Sequence, residues 1–147
     1  LDRPWTTQLL VVIALVVAAL NIPYARAHAG FYSDPHRVLM ATIPERVEHE
    51  LPADCLVVLE RPSVLSSTTG LEVMAIGTFL TDTAARDELF DRDACVLFFE
   101  DVYCVEWDID ESLERCFWMR KSFQLTPFRT YKGGGVGYTF YRVSPGA

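Results

Sequence analysis

Ala94-Cys-Val-Leu-Phe-Phe-Glu-Asp-Val-Tyr-Cys-Val-Glu-Trp107 is the most strand-like stretch of the chain, and the fold of the region around it follows from its reading. Its β-branched and aromatic residues favour a pleated, buried surface. Glu100-Asp101 interrupts the apolar run, so the stretch is expected to fold back there as a hairpin. Upstream, Cys55-Leu-Val-Val-Leu-Glu60 is a short apolar run following Pro52, the pattern of a buried strand. Residues 61–70 hold Pro62 with serines, threonines and a glycine and read as a loop. Residues 71–80 read as a second strand. Thr81 or Asp82 then caps a helix running to Arg92.

Downstream, Asp108-Ile-Asp-Glu111 resembles a capping box, in which an acidic cap and a glutamate three residues later satisfy the first amides of a helix. That helix runs to about Arg120. Residues 123–131 and 137–143 are read as two strands joined by Lys132-Gly-Gly-Gly-Val136. The glycines lack the Lys-Ser or Lys-Thr of a phosphate-binding loop and so predict a tight turn. Strands and helices interleave and a hairpin closes the chain, which predicts an α+β domain over residues 52–147.

A different chemistry governs the N-terminus. No charge falls between Arg3 and Arg26, and the intervening residues include Leu9-Leu-Val-Val-Ile-Ala-Leu-Val-Val-Ala-Ala-Leu20. A hydrocarbon core of about 30 Å needs about 20 such residues in a helix. Trp5 and Tyr24 stand at the two ends, where amphipathic rings favour the headgroup level. The expected architecture is therefore a single N-terminal transmembrane helix (1–25), a juxtamembrane linker or arm (26–51) and a small mixed α/β soluble domain. Residues 37–51 are read as a short helix interrupted near Pro44, or as an extended arm. A removable signal peptide is the competing reading, because Ala25-Arg-Ala27 and Ala27-His-Ala29 fit the small-x-small cleavage pattern. A start at Leu1 is read as the trace of a presequence already removed, or of numbering that begins late. Thr7, Val11, Ala14, Ala18 and Asn21 recur at spacings of three and four and are the candidate helix-packing face, with small residues for close approach and polar ones for hydrogen bonds.

The net charge of −7 opposes nucleic-acid binding. Cys55, Cys95, Cys104 and Cys116 contain no C-x-x-C pair, so no zinc ribbon or dithiol motif is written here. Their even number allows two disulfides in any of three connectivities, which would place the domain in an oxidising space. No catalytic motif, cofactor fingerprint or metal site is found: His49-Glu50 is followed by Leu51-Pro52, and Asp108-Ile-Asp110 lacks the glycine turn and final glutamate of a calcium loop. Acids concentrate between Asp82 and Glu114, whereas Arg115, Arg120, Lys121, Arg129, Lys132 and Arg142 follow with no acid among them. Either the two segments neutralise each other in the fold, or they form a bipolar docking surface.

Val105-Glu-Trp-Asp-Ile-Asp110, a helix, and Phe123-Gln-Leu-Thr-Pro-Phe-Arg-Thr130 resemble the second half of a thioredoxin-like domain. Arg129 stands where that family places its cis-proline, and Tyr103-Cys104 lacks the second cysteine, so the resemblance implies no redox activity.

The functional expectation is a non-catalytic accessory subunit of a larger membrane protein complex, of the respiratory, energy-transducing kind. Its partners would be other subunits of that complex and membrane lipids. It would be an integral single-pass protein of the mitochondrial inner membrane, with a thylakoid or bacterial inner membrane as alternatives. The two competing functions are a membrane-tethered thiol-redox protein using Cys104 with Cys95 or Cys116, and a free-standing extracytoplasmic binding module.

Overall fold

The computed structural model describes residues 34–105 and 110–146, together with Val12, Val16 and Val17. Asp34 opens the first helix, α1 (Pro35–Glu50), by accepting the His36 amide at 3.0 Å, and Pro35 occupies a first-turn position that needs no N–H. The helix continues through Pro44 because Leu39, Ile43 and Val47, one turn apart, bury a continuous stripe against the sheet. There is neither a break nor an extended arm.

Next come β1 (Leu56–Leu59), α2 (Ser63–Ser66), β2 (Glu72–Ala75), α3 (Ile76–Thr81) and α4 (Thr83–Asp91). They are followed by β3 (Val96–Glu100), α5 (Val102–Val105), α6 (Asp110–Ser122), β4 (Phe123–Gly133) and β5 (Val136–Pro145). The five strands form one sheet in the order β2-β1-β3-β5-β4. β1 pairs in parallel with both β2 and β3, while β5 runs antiparallel to β3 and to β4. All four residues of β1 are buried, as a parallel strand covered on both faces requires. Val57, Leu59, Leu97 and Phe99 point into the core beneath α1 and α2. Their alternates Leu56, Val58, Val96 and Phe98 pack with Ile76 and Phe79 of α3 and Cys116 and Met119 of α6. The unit is thus layered helix, sheet, helix.

Two further local expectations change. The stretch at 94–107 is not a hairpin: β3 stops at Glu100, and Asp101 turns the chain into α5 by accepting the Tyr103 amide at 3.0 Å. Residues 71–80 divide into the short strand β2 and the helix α3. The final hairpin does form. Gly134 and Gly135 take φ of +60° and +87°, and a Cβ on Gly134 would stand 2.8 Å from Pro35 Cβ, so that turn demands glycine on both counts.

The expected class, an α+β domain behind a single transmembrane helix, is corrected to a small mixed α/β unit with a five-stranded sheet. Among the described residues no helix is long and apolar enough to cross a membrane. The longest, α1, has 16 residues, about 24 Å at 1.5 Å per residue, and carries Arg37, Glu45, Arg46, Glu48 and Glu50. The integral single-pass location, in the mitochondrial, thylakoid or bacterial inner membrane, and the respiratory-chain assignment lose their support with it. The anchor expected over residues 1–25 lies outside the described residues, apart from Val12, Val16 and Val17, which are helical and half exposed.

Candidate functional site

The sheet order creates a place where the chain leaves neighbouring strands in opposite directions. After β1 the chain moves to β2, and after β3 it moves away toward β4 and β5. In open α/β sheets ligand crevices form outside the carboxyl ends of strands at such a switch point. The residues that stand there are Glu60, next after β1, and Asp101, next after β3.

Glu60 is tied down from α6. Arg115 reaches it with two nitrogens, Nε at 3.1 Å from Oε2 and Nη2 on Oε1, while Ser112 Oγ donates to Oε1 at 2.9 Å. The Glu60 side chain is 6% exposed, so this fork is largely shielded from water, and such bidentate, charge-assisted contacts are the strong kind. Arg115 also pairs with Glu111 one turn back. The hydrogen bonds to Glu60, then those to Glu111, hold the guanidinium pKa above its ordinary value against the opposing effect of burial. Arg120 extends the clamp by donating to Glu100 at 2.6 Å and to the Cys104 carbonyl at 3.3 Å.

Asp101 is fully buried. Its Oδ1 accepts the Tyr103 amide and its carbonyl accepts the Cys104 amide, but Oδ2 has no hydrogen-bond partner among the described residues. Burial pushes its pKa up to about 7, opposed by the Tyr103 amide and reinforced by the negative charge of Glu60. A carboxyl poised near neutrality has the acidity of a general acid–base, yet catalysis also needs contact with a reacting atom, and this one is sealed inside the protein. The cluster fastens α6 to the sheet.

The cysteines pair as Cys55–Cys95 and Cys104–Cys116, with Cα separations of 4.5 and 5.5 Å. The first joins the residues preceding β1 and β3, at the end of the sheet away from Glu60 and Asp101. The second links α5 to α6 and is 3% and 0% exposed at its two cysteines, a position out of reach of an attacking thiolate. Thr7, Val11, Ala14, Ala18 and Asn21 lie outside the described residues.

With its inner face locked, α6 presents an unusual outer face. Phe117 and Trp118 are 52% and 42% exposed and meet edge to face at 5.7 Å. Lys121 lies over both rings, 5.8 Å from the first and 4.8 Å from the second. Val105, also exposed, follows Cys104, and Phe117 follows Cys116. Sequence reasoning passed over this face, although its signal is present: Ser112, Cys116 and Met119 at helical spacing form the inner face and leave Phe117, Trp118 and Lys121 outside.

Folding neutralises part of the charge segregation along the chain. Arg115 and Arg120 pair with Glu111 and Glu100 of the acidic segment, and Arg129 pairs with Glu50. Mutual neutralisation of the two segments accounts for Arg115 and Arg120, while the partner of Arg129 lies outside the acidic segment.

No family model matches the sequence, and no curated protein matches it either. A solved structure of the release-factor-specific protein-(glutamine-N5) methyltransferase from Alicyclobacillus acidocaldarius aligns with 77% of this chain and 94% of its own. At 14% identity and a TM-score of 0.29 that likeness carries no argument about fold or activity.

Proposed function

We propose that this chain is a non-catalytic accessory subunit of a larger protein assembly, docking through the outer face of α6. The observation that carries the reading is the exposed Phe117–Trp118 pair on a helix immobilised from beneath. Aromatic side chains in a well-packed patch supply most of the energy of typical interfaces. Holding them rigid before contact removes much of the ordering cost of association. Lys121 above the rings, in a segment with no acid after Glu114, suits a partner surface that is apolar at its centre and acidic at its edge. The disulfide pairs fit an oxidising space.

The test is native electrophoresis of a gentle extract of the source cells, with lysine cross-linking and mass spectrometry of the comigrating band. Comigration with a stoichiometric assembly, cross-links from Lys121 to an acidic segment of another subunit, and release by Phe117→Ala/Trp118→Ala support the proposal. Migration alone, or an assembly indifferent to the double substitution, overturns it.

A further inference from the structure

Asp101 stands between a rigid element and a short one. Before it, β3 is paired with β1 on one edge and with β5 on the other, as far as Glu100 opposite Thr139. After it, α5 is four residues long, with Val102 and Cys104 buried. That turn of helix is held by Asp101 Oδ1 on the Tyr103 amide, by Arg120 on the Cys104 carbonyl and by the disulfide to Cys116. A strand bonded on both edges moves only if the sheet breaks, so the local motion that brings Asp101 to water is a movement of α5.

The carboxyl is poorly satisfied where it sits. Oδ2 is buried with no hydrogen-bond partner among the described residues. Burial, reinforced by the charge of Glu60, raises the pKa to about 7, and the groups that oppose the rise are the backbone amides of Tyr103, Asp101 and Cys104. The cations at the carboxyl ends of β1 and β3 are committed elsewhere. Arg115 is bound to Glu60 and Glu111, Arg120 to Glu100, and the Arg61 guanidinium lies 4.7 Å over the Tyr103 ring. Glu100 also accepts from the Tyr141 hydroxyl at 3.3 Å. As a neutral acid Asp101 tolerates this burial, whereas its anion is a buried charge beside a second carboxylate.

We propose that Asp101 is a pH-sensitive latch: neutral, it keeps α5 seated, and ionised, it promotes a local opening of α5 that exposes the Cys104–Cys116 disulfide to reductants. In the closed state the two cysteines are 3% and 0% exposed, so their reduction reports the opening. Opening places the carboxyl in water, where its pKa is ordinary. The opening equilibrium therefore grows about tenfold per pH unit above pH 4 and levels off as the closed form ionises near pH 7. Nothing in the latch uses the outer face of α6, so it stands apart from the accessory-subunit reading.

The experiment follows reduction of the full chain by a water-soluble trialkylphosphine, with an unstructured cystine peptide in the same tube. Phosphorus attacks one sulfur and breaks the S–S bond, and water then supplies the oxygen of the phosphine oxide and the protons of two thiols. Dividing by the peptide's rate removes the pH dependence of the phosphine itself. The corrected rate at Cys104–Cys116, read by alkylation and mass spectrometry, is expected to rise about a hundredfold between pH 5 and pH 8. About 1 M urea is expected to leave it unchanged, because a local opening exposes little surface. Asp101→Asn is expected to abolish the rise. If that variant fails to fold, hydrogen exchange of the wild type decides: the Tyr103 and Cys104 amides, corrected for intrinsic rates, should lose about a hundredfold in protection over the same range, again independently of urea. A flat corrected rate, a rise retained in Asp101→Asn, or opening that grows with urea as steeply as global unfolding overturns the proposal.

Discussion

Asp101 closes β3 with one carboxylate oxygen used and the other buried without a hydrogen-bond partner among the described residues. Burial, with Glu60 adding to it, holds its folded-state pKa at about 7, above the value of about 3.9 for an unfolded chain. The folded form therefore binds the proton more tightly. The stabilising contribution is complete below the unfolded value and is lost as pH rises through the folded one. Between pH 5 and pH 8 this group alone is expected to remove about 2–3 kcal/mol. Glu60, the charged neighbour that raises this pKa further, is common to the wild type and to a neutral isostere at this position. Asp101→Asn is thus expected to flatten the profile, gaining on the wild type at pH 8 relative to pH 5 by that amount. Urea unfolding of both proteins at the two pH values measures it, and parallel profiles would show that the charge is absorbed elsewhere.

Helix α6 owes its position to contacts that sit far from it in sequence. Ser112 and Arg115 both engage Glu60, and Cys116 engages Cys104. Glu60→Gln keeps the shape and removes the charge. It is expected to destabilise by about 2 kcal/mol, the scale of charge-assisted hydrogen bonds lost from a shielded carboxylate, and to lower the Asp101 midpoint by removing a neighbouring negative charge. Equilibrium unfolding read together with the Asp101-dependent pH profile checks both effects. At this scale the chain is partly legible. The Asp82 cap of α4 and the glycine turn between β4 and β5 follow from local chemistry, because the residues that make them are adjacent, whereas the cap expected at Asp108 lies outside the described residues. The turn at Asp101 was misread as a hairpin because its cause is a side-chain acceptor for the Tyr103 amide together with a distant disulfide. Pro44 was misread as a break because the stripe of Leu39, Ile43 and Val47 that overrides it is satisfied only by the sheet.

For the whole molecule, apolar runs mark β1 and β3 as buried strands, and nothing in them says that they lie side by side. That pairing brings together residues such as Leu56 and Val96, and it produces the switch point on which the candidate site rests. The membrane architecture was drawn from the N-terminal stretch, whereas the described fold takes its shape from this non-local sheet. The two disulfides divide stability from docking at this scale. Cys55–Cys95 spans 40 residues and Cys104–Cys116 spans 12, so loop-closure entropy assigns them about 4 and about 3 kcal/mol. The longer link ties β1 to β3 and touches nothing on the outer face of α6. The shorter one joins α6 to α5 directly beside Phe117. Cys55→Ser/Cys95→Ser is therefore expected to lower the denaturation midpoint further while the chain still associates through Phe117 and Trp118. Cys104→Ser/Cys116→Ser is expected to cost less stability and yet to weaken that association, because the aromatic pair would then be ordered at the moment of contact. Denaturant titration beside the Lys121 cross-linking yield separates the two quantities. Association that simply tracks stability across both variants would show that α6 is not a preorganised docking helix.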